Sequence, residues 1–286
     1  MNYQPIENYG VIGDLNTMAL VSMGGSVDFM CFPRFDSPAI FAALLDRERG
    51  GKCEIAPATG NFKSQQRYLP DTNILSTRFM GSTGVAAVSD FMPLQHLGHR
   101  HNLVRRVKVL RGEVSLRMAC ALRFDHGRTE HSITRIAGEF IFAPKKGNQP
   151  ALRFRSSVPA QVEDGAVVAR FKLRSGETAS FVLEEVVPGE ESPTANPDYV
   201  SDAFKETMNF WLTWTGRSLY RGRRREMVNR SALTPKLLTS KPHGSLVAAP
   251  TFGLPEKIGG ERNWDHRYTW IPLHGIEDVD EAPKGG

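Results

Sequence analysis

The chain has 286 residues, 40 % hydrophobic and 23 % charged, with a formal net charge of +5, the balance of a soluble globular protein of one or two domains. No run of ~18 apolar residues occurs, which excludes a membrane-spanning helix, and "MNYQPIENYG" has neither the basic start nor the apolar core of a secretory signal. Cys31, Cys53 and Cys120 lie far apart without a CxxC pair; this argues against a disulfide framework or zinc site and for a reducing, cytoplasmic setting.

The first two thirds read as β. Residues 17–32 are two β-rich runs joined by Gly24-Gly25, a hairpin signal because both turn positions tolerate positive φ. A helix fits "SPAIFAALLD" at 37–46. Residues 74–91 repeat the hairpin design around "GSTG", and 103–124 read as a third pair turning at Arg111-Gly112. There Val104, Val107 and Val109 break strict alternation, so a bulge or burial on both faces is expected. Further strands are expected at 139–143, 151–156, 166–174 and 178–187. Many strands with short polar turns indicate a large antiparallel β-sandwich over residues 1–190.

The composition then changes. "PGEESPTANPD" at 188–198 is Pro-rich, acidic and nearly devoid of apolar residues, which marks a linker. Val200, Phe204, Met208, Trp211 and Trp214/Thr215 follow at helical steps, giving a linker-plus-helix segment over 191–217. "RSLYRGRRRE" at 217–226 holds five Arg and one Glu. It lacks a nucleic-acid module around it, so it reads as a solvated connector and no nucleic-acid partner is expected. A second helix is expected at 225–240, with a kink or early stop at Pro235. Two helices cannot cover a broad apolar face alone, so this part reads as a second domain begun and unfinished.

Several of these segments match a known family in order. "IENYGVIGDLNTMALVSMGGSVDFMCFPRFDSPAIFAALL", "YRGRRREMVNRSALTPKLLT", "GSLVAAPTFGLPE" and "GGERNWDHRYTW" resemble bacterial glucoamylase- and trehalase-like enzymes of glycoside hydrolase family 15. The resemblance implies a mainly β fold, a sandwich followed by the start of an all-α (α/α)6 barrel over 218–271. It also implies an α-glucoside such as trehalose or a maltooligosaccharide as substrate, with no cofactor. Relatives continue with Arg-Asp after the Trp-aliphatic pair, whereas here Trp270-Ile271 is followed by Pro272-Leu273, and 272–286 match nothing in the family. An inverting glycosidase needs two carboxyl groups roughly 6.5–9.5 Å apart. The family takes them from later barrel helices, so no catalytic residue is assigned here, and the chain is expected to be a truncated, inactive fragment. The alternative is a non-catalytic β-sandwich that binds carbohydrate or a protein.

The candidate substrate-binding residues are Trp264, Asp265, His266, Tyr268 and Trp270, an aromatic platform with polar neighbours, together with Arg34 and Asp36. The latter two sit in the Pro-bounded loop "CFPRFDSP", where Asp36 also suits a structural Asx turn. His96, His99 and His101 cluster within six residues, but no acid stands at ligand spacing, and no metal is expected.

Overall fold

Runs of buried apolar residues closed by tight turns build the first strands of the computed structural model, which describes residues 3–94, 101–254 and 260–269. β1 (Tyr9–Gly13), β2 (Met18–Ser22) and β3 (Ser26–Cys31) form an antiparallel meander. Its second turn is the hairpin expected at Gly24-Gly25, although only Gly25 takes a positive φ, of 80°. A Cβ there would stand 2.3 Å from the Ile55 carbonyl oxygen, so backbone and space both demand glycine.

The helix expected at 37–46 is absent. β4 (Ala39–Phe41) pairs with β3 through Met30↔Phe41 and Cys31↔Ala39. Every residue from Ala39 to Leu44 is buried, and an extended segment covered on both sides meets that requirement, whereas a surface helix buries one stripe.

β5 (Lys52–Pro57), β6 (Phe62–Tyr68), β7 (Leu75–Gly81) and β8 (Gly84–Phe91) follow. β7 and β8 are the second expected hairpin. β9 (Asn102–Ala121) corrects the third: it is one continuous strand, with no turn at Arg111-Gly112. Instead β8 pairs Val85 with Arg111 and Ala86 with Val109, leaving Leu110 as a bulged extra residue, and Gly112 takes φ 69°. The bulge bends β9 and lets it change sheets. The remaining strands are β10 (His131–Ile136), β11 (Glu139–Pro144), β12 (Leu152–Ser156), β13 (Gln161–Glu163), β14 (Ala166–Arg174) and β15 (Thr178–Glu185).

Two layers result. The first half of β9 lies between β8 and β15, in a layer that continues to β7–β6 on one side and to β12–β11–β10 on the other. The second half lies between β5 and β14, in a layer containing β1 to β3 and β13. All these pairings are antiparallel. Phe79, Val88, Val107, Phe154 and Phe181 of one layer meet Val27, Ile55, Met118, Cys120 and Val167 of the other in a single core.

The linker is pinned rather than loose: the Ser192 and Thr194 hydroxyls both donate to Glu184 Oε1 in β15. α1 (Tyr199–Gly216) and α2 (Arg225–Leu238) then pack on the sandwich. α1 buries Tyr199, Ala203, Thr207, Trp211 and Thr215: Trp211 and Thr215 as expected, the first three one residue before Val200, Phe204 and Met208. Val200, Phe204 and Met208 lie partly buried beside it, against Ile74, Phe91, Val104 and Val182. Trp211 joins Leu233 and Leu237 of α2 against Leu15, Met18 and Phe35. The helices' inner faces are therefore covered by the sandwich, while Leu212, Met227 and Val228 remain exposed. Pro235 does not stop α2, which runs on to Leu238. Its neighbours Leu233 and Leu237 are each 1 % exposed, and their packing outweighs the single backbone bond lost in the last turn. Among the described residues no helix is long and apolar enough to cross a membrane.

Candidate functional site

The Pro-bounded loop and the C-terminal segment meet, although 230 residues separate them. β3 delivers the chain into Phe32-Pro33, joined by a cis peptide, and β4 takes it away. The loop between is closed by a Ser37 N–H bond to the Arg34 carbonyl (3.1 Å) and by the Ser37 hydroxyl accepting the Arg34 N–H (3.1 Å). Asp36 makes no Asx turn. Its carboxylate pairs with Arg34 Nε at 3.1 Å, at the surface.

Residues 260–269 approach from the other side. Bridges Val247↔Thr269 and Phe252↔Asp265 lay this segment antiparallel to residues 247–252. Ala249 N–H donates to the His266 carbonyl at 2.8 Å, and His266 N–H to the Thr251 carbonyl at 3.2 Å.

Arg267 joins the two. Its Nη1 donates to the Ser37 carbonyl (2.8 Å) and lies 3.4 Å from both the Phe35 carbonyl and Cys31 Sγ. Its Nε and Nη2 grip Asp265 at 2.9 and 2.6 Å, and its guanidinium carbon stands 4.3 Å from the centre of the Phe252 ring. A planar five-donor fork can make all these contacts at once. Burial opposes charge on Asp265, but the hydrogen bonds and positive charge of Arg267 outweigh it and hold the carboxyl below its usual value. Burial likewise opposes the charge on Arg267, and Asp265 more than compensates, so the guanidinium stays protonated. Burial pushes the Cys31 thiol up to about 11 despite Arg267, so it remains a neutral, inert packing group.

A cleft of about 170 Å³ opens at this joint, lined by Asn16, Arg34, Phe35, Asp36, Arg267 and Tyr268 and by the turn at 240–247. Of the residues singled out in the sequence, Arg34, Asp36 and Tyr268 line it. Asp265 is not among the lining residues and is engaged by Arg267, and His266 is held by its backbone. Trp264 and Tyr268 are each 58 % exposed. Trp270, Pro272 and Leu273 lie outside the described residues, as do His96 and His99. His101 does have an acid beside it: its Nδ1 is 2.6 Å from Asp14 Oδ2. Asp14 comes from the β1–β2 turn, 87 positions away in sequence. Among the described residues no group of three His, Cys, Asp or Glu could hold a metal.

Arg267 was missed in the sequence. The signal was its spacing from Asp265: residues two apart in an extended segment share a face.

The family described as trehalase-like, N-terminal, matches residues 1–186. The chain belongs to the glycoside hydrolase family 15-like trehalases and glucoamylases, as their N-terminal part. A trehalase of Thermoplasma volcanium is 33 % identical over 274 residues, covering 94 % of this chain and 43 % of that protein. A trehalase of Mycobacterium tuberculosis is 32 % identical over 292 residues, covering 94 % and 42 %. The chain thus spans about two fifths of these relatives' lengths. A bacterial glucoamylase solved in complex with acarbose shares the fold at a TM-score of 0.65 and 11 % identity, over 96 % of this chain and 47 % of that one. At that coverage the likeness takes in α1 and α2 as well as the sandwich.

Proposed function

We propose that this chain forms the N-terminal, sugar-facing part of an α-glucoside hydrolase of trehalase or glucoamylase type, and that residues 1–286 alone bind the sugar without cleaving it. The observation that carries the reading is the Arg267 joint, which brings the loop of Arg34 and Asp36 to the segment of Trp264 and Tyr268. Exposed aromatic side chains beside ionised hydrogen-bonding groups suit a polyhydroxylated ring. The carboxylates at the joint do not suit hydrolysis. A general acid needs a raised pKa, whereas Asp265 is held ionised by Arg267 and Asp36 is paired with Arg34.

The test uses the full chain. With trehalose, maltose and starch, no glucose should appear above a buffer blank. Titration with maltose should perturb the Tyr268 and Arg34 resonances, and Tyr268→Ala should weaken binding roughly tenfold, the scale of one stacking contact. Turnover abolished by Asp265→Ala would overturn the non-catalytic assignment. Resonances of the cleft that ignore both sugars would overturn the binding assignment.

A further inference from the structure

The cleft loop is held from two sides, and the second hold runs through the ring of one histidine. Beyond β9 the chain passes through Asp125, His126 and Gly127 with three successive positive φ angles, 50°, 58° and 83°. Side chains avoid this conformation unless their surroundings enforce it. The turn is clamped against the end of the loop: Ala39 N–H donates to His126 Nδ1 at 3.3 Å. Gln149 accepts the Asp125 N–H at 2.5 Å and donates to the Pro38 carbonyl at 3.2 Å. Edge-on, the His126 ring meets Phe252 with centroids 4.9 Å apart, and Arg267 lies over that same Phe252 ring.

Ala39 is fully buried, and a backbone N–H can only donate. The ring nitrogen facing it must therefore carry a lone pair. A proton at Nδ1 would turn the contact into donor against donor and leave the buried Ala39 N–H without its acceptor. The charged groups around the ring are Asp125 and Arg128 of its own turn and Asp265 and Arg267 of the facing segment. Gln149 and Phe252 complete the enclosure and are neutral. Burial first, then Arg128, push His126 below its ordinary value, so near neutral pH the ring is in the form that can hold Ala39.

We propose that His126 is a pH-sensitive positioning residue for the loop carrying Arg34 and Asp36: its neutral ring anchors Ala39 at the loop's exit, and protonation in acid removes that anchor, leaving Arg267 at Ser37 and Gln149 at Pro38 to hold the loop. Regulation of sugar binding by this device rests on the function proposed above; the anchoring itself does not.

The experiment follows the full chain by NMR across pH, with maltose as the probe of the cleft. The His126 ring and the Ala39 amide should titrate together, with one midpoint below the ordinary histidine value of about 6.5. Maltose affinity should fall through the same midpoint, by roughly tenfold, the scale set by losing one buried acceptor. His126→Asn supplies a neutral acceptor at every pH and tolerates the left-handed backbone, so it should keep the affinity and abolish its pH dependence. Thermal unfolding of the variant confirms that the fold is kept. An Ala39 amide that stays put while His126 titrates, or an Asn variant as pH-dependent as the parent, would overturn the proposal. Joint titration without maltose binding at any pH would uphold the anchor and overturn the sugar reading instead.

Discussion

Two Arg–Asp pairs do similar chemistry in different places. In the sandwich, Arg105 Nε and Nη2 grip Asp90 at 2.7 and 3.3 Å, and its remaining donors hold the Gly25 carbonyl at 2.7 Å and that of Cys53. At the cleft, Arg267 grips Asp265 and the Ser37 carbonyl. Each guanidinium therefore ties a carboxylate to distant backbone, but the settings differ. Arg105 and Asp90 are 1 % and 0 % exposed, whereas Arg267 and Asp265 are 8 % and 33 % exposed. Arg105 and Asp90 face each other across β8 and β9, so sheet pairing already places them. Nothing regular places Arg267, which is itself the link between a loop and a short bridged segment. One fork is held by the fold; the other holds the site.

The largest effect should come from the interior pair. Arg105→Ala leaves Asp90 charged and buried without its partner, a change that costs about 3–5 kcal/mol, and urea denaturation should show it as global loss of stability. Replacing both members by apolar residues should recover much of that loss; if the double variant were no better than the single, the buried charge would not be the cause.

Arg267→Lys should be milder and local. Lysine keeps the charge but loses the bidentate fork, so about 2 kcal/mol of charge-assisted hydrogen bonding is removed. Hydrogen exchange should quicken in residues 31–39 and 260–269 while β9 stays protected. Equal loosening of β9 would mean that Arg267 supports the whole fold and is no special joint.

Acid sharpens the contrast. The folded value of Asp265 lies below its ordinary 3.8, so its contribution is full above 3.8 and fades as pH falls through the folded value. The cleft segment should loosen over that range, and Asp265→Asn should flatten the dependence.

The smallest effect runs the opposite way with pH. Burial lowers the tendency of His101 to take a proton, but its bond to Asp14 and the carboxylate charges there outweigh this and raise it above 6.5. Its contribution is full below 6.5 and is lost as pH rises through the folded value. Stability of the parent should therefore sag slightly on the alkaline side, and Asp14→Asn should remove that sag.

Much of the fold was legible in the sequence because it is written in local periods. The Gly25 turn, the β7–β8 hairpin, the strands from β11 to β15 other than β13, and α1 all follow from alternation, glycine placement or helical spacing within a few residues. The failures occur where a local signal has two physical outcomes. Gly112 can turn a hairpin or sit at a bulge, and only the arrival of β8 on one side and β5 on the other made it a bend in one long strand. "AIFAALL" suits a helix by its spacing, yet burial on all sides made Ala39–Phe41 extended. Of the site, Arg34, Asp36 and Tyr268 were legible as chemistry, but not that they share a cleft.

The sequence by itself determined the β-rich body, the turn glycines, the helical stripes and the family motifs, because each depends on neighbours within one turn or one strand. Only the tertiary structure decided that Arg267 is the joint, that His126 braces Ala39 and that His101 answers to Asp14. Those contacts join residues 87 to 230 positions apart. Their strength comes from burial and from donor–acceptor geometry, and neither exists until the layers have packed.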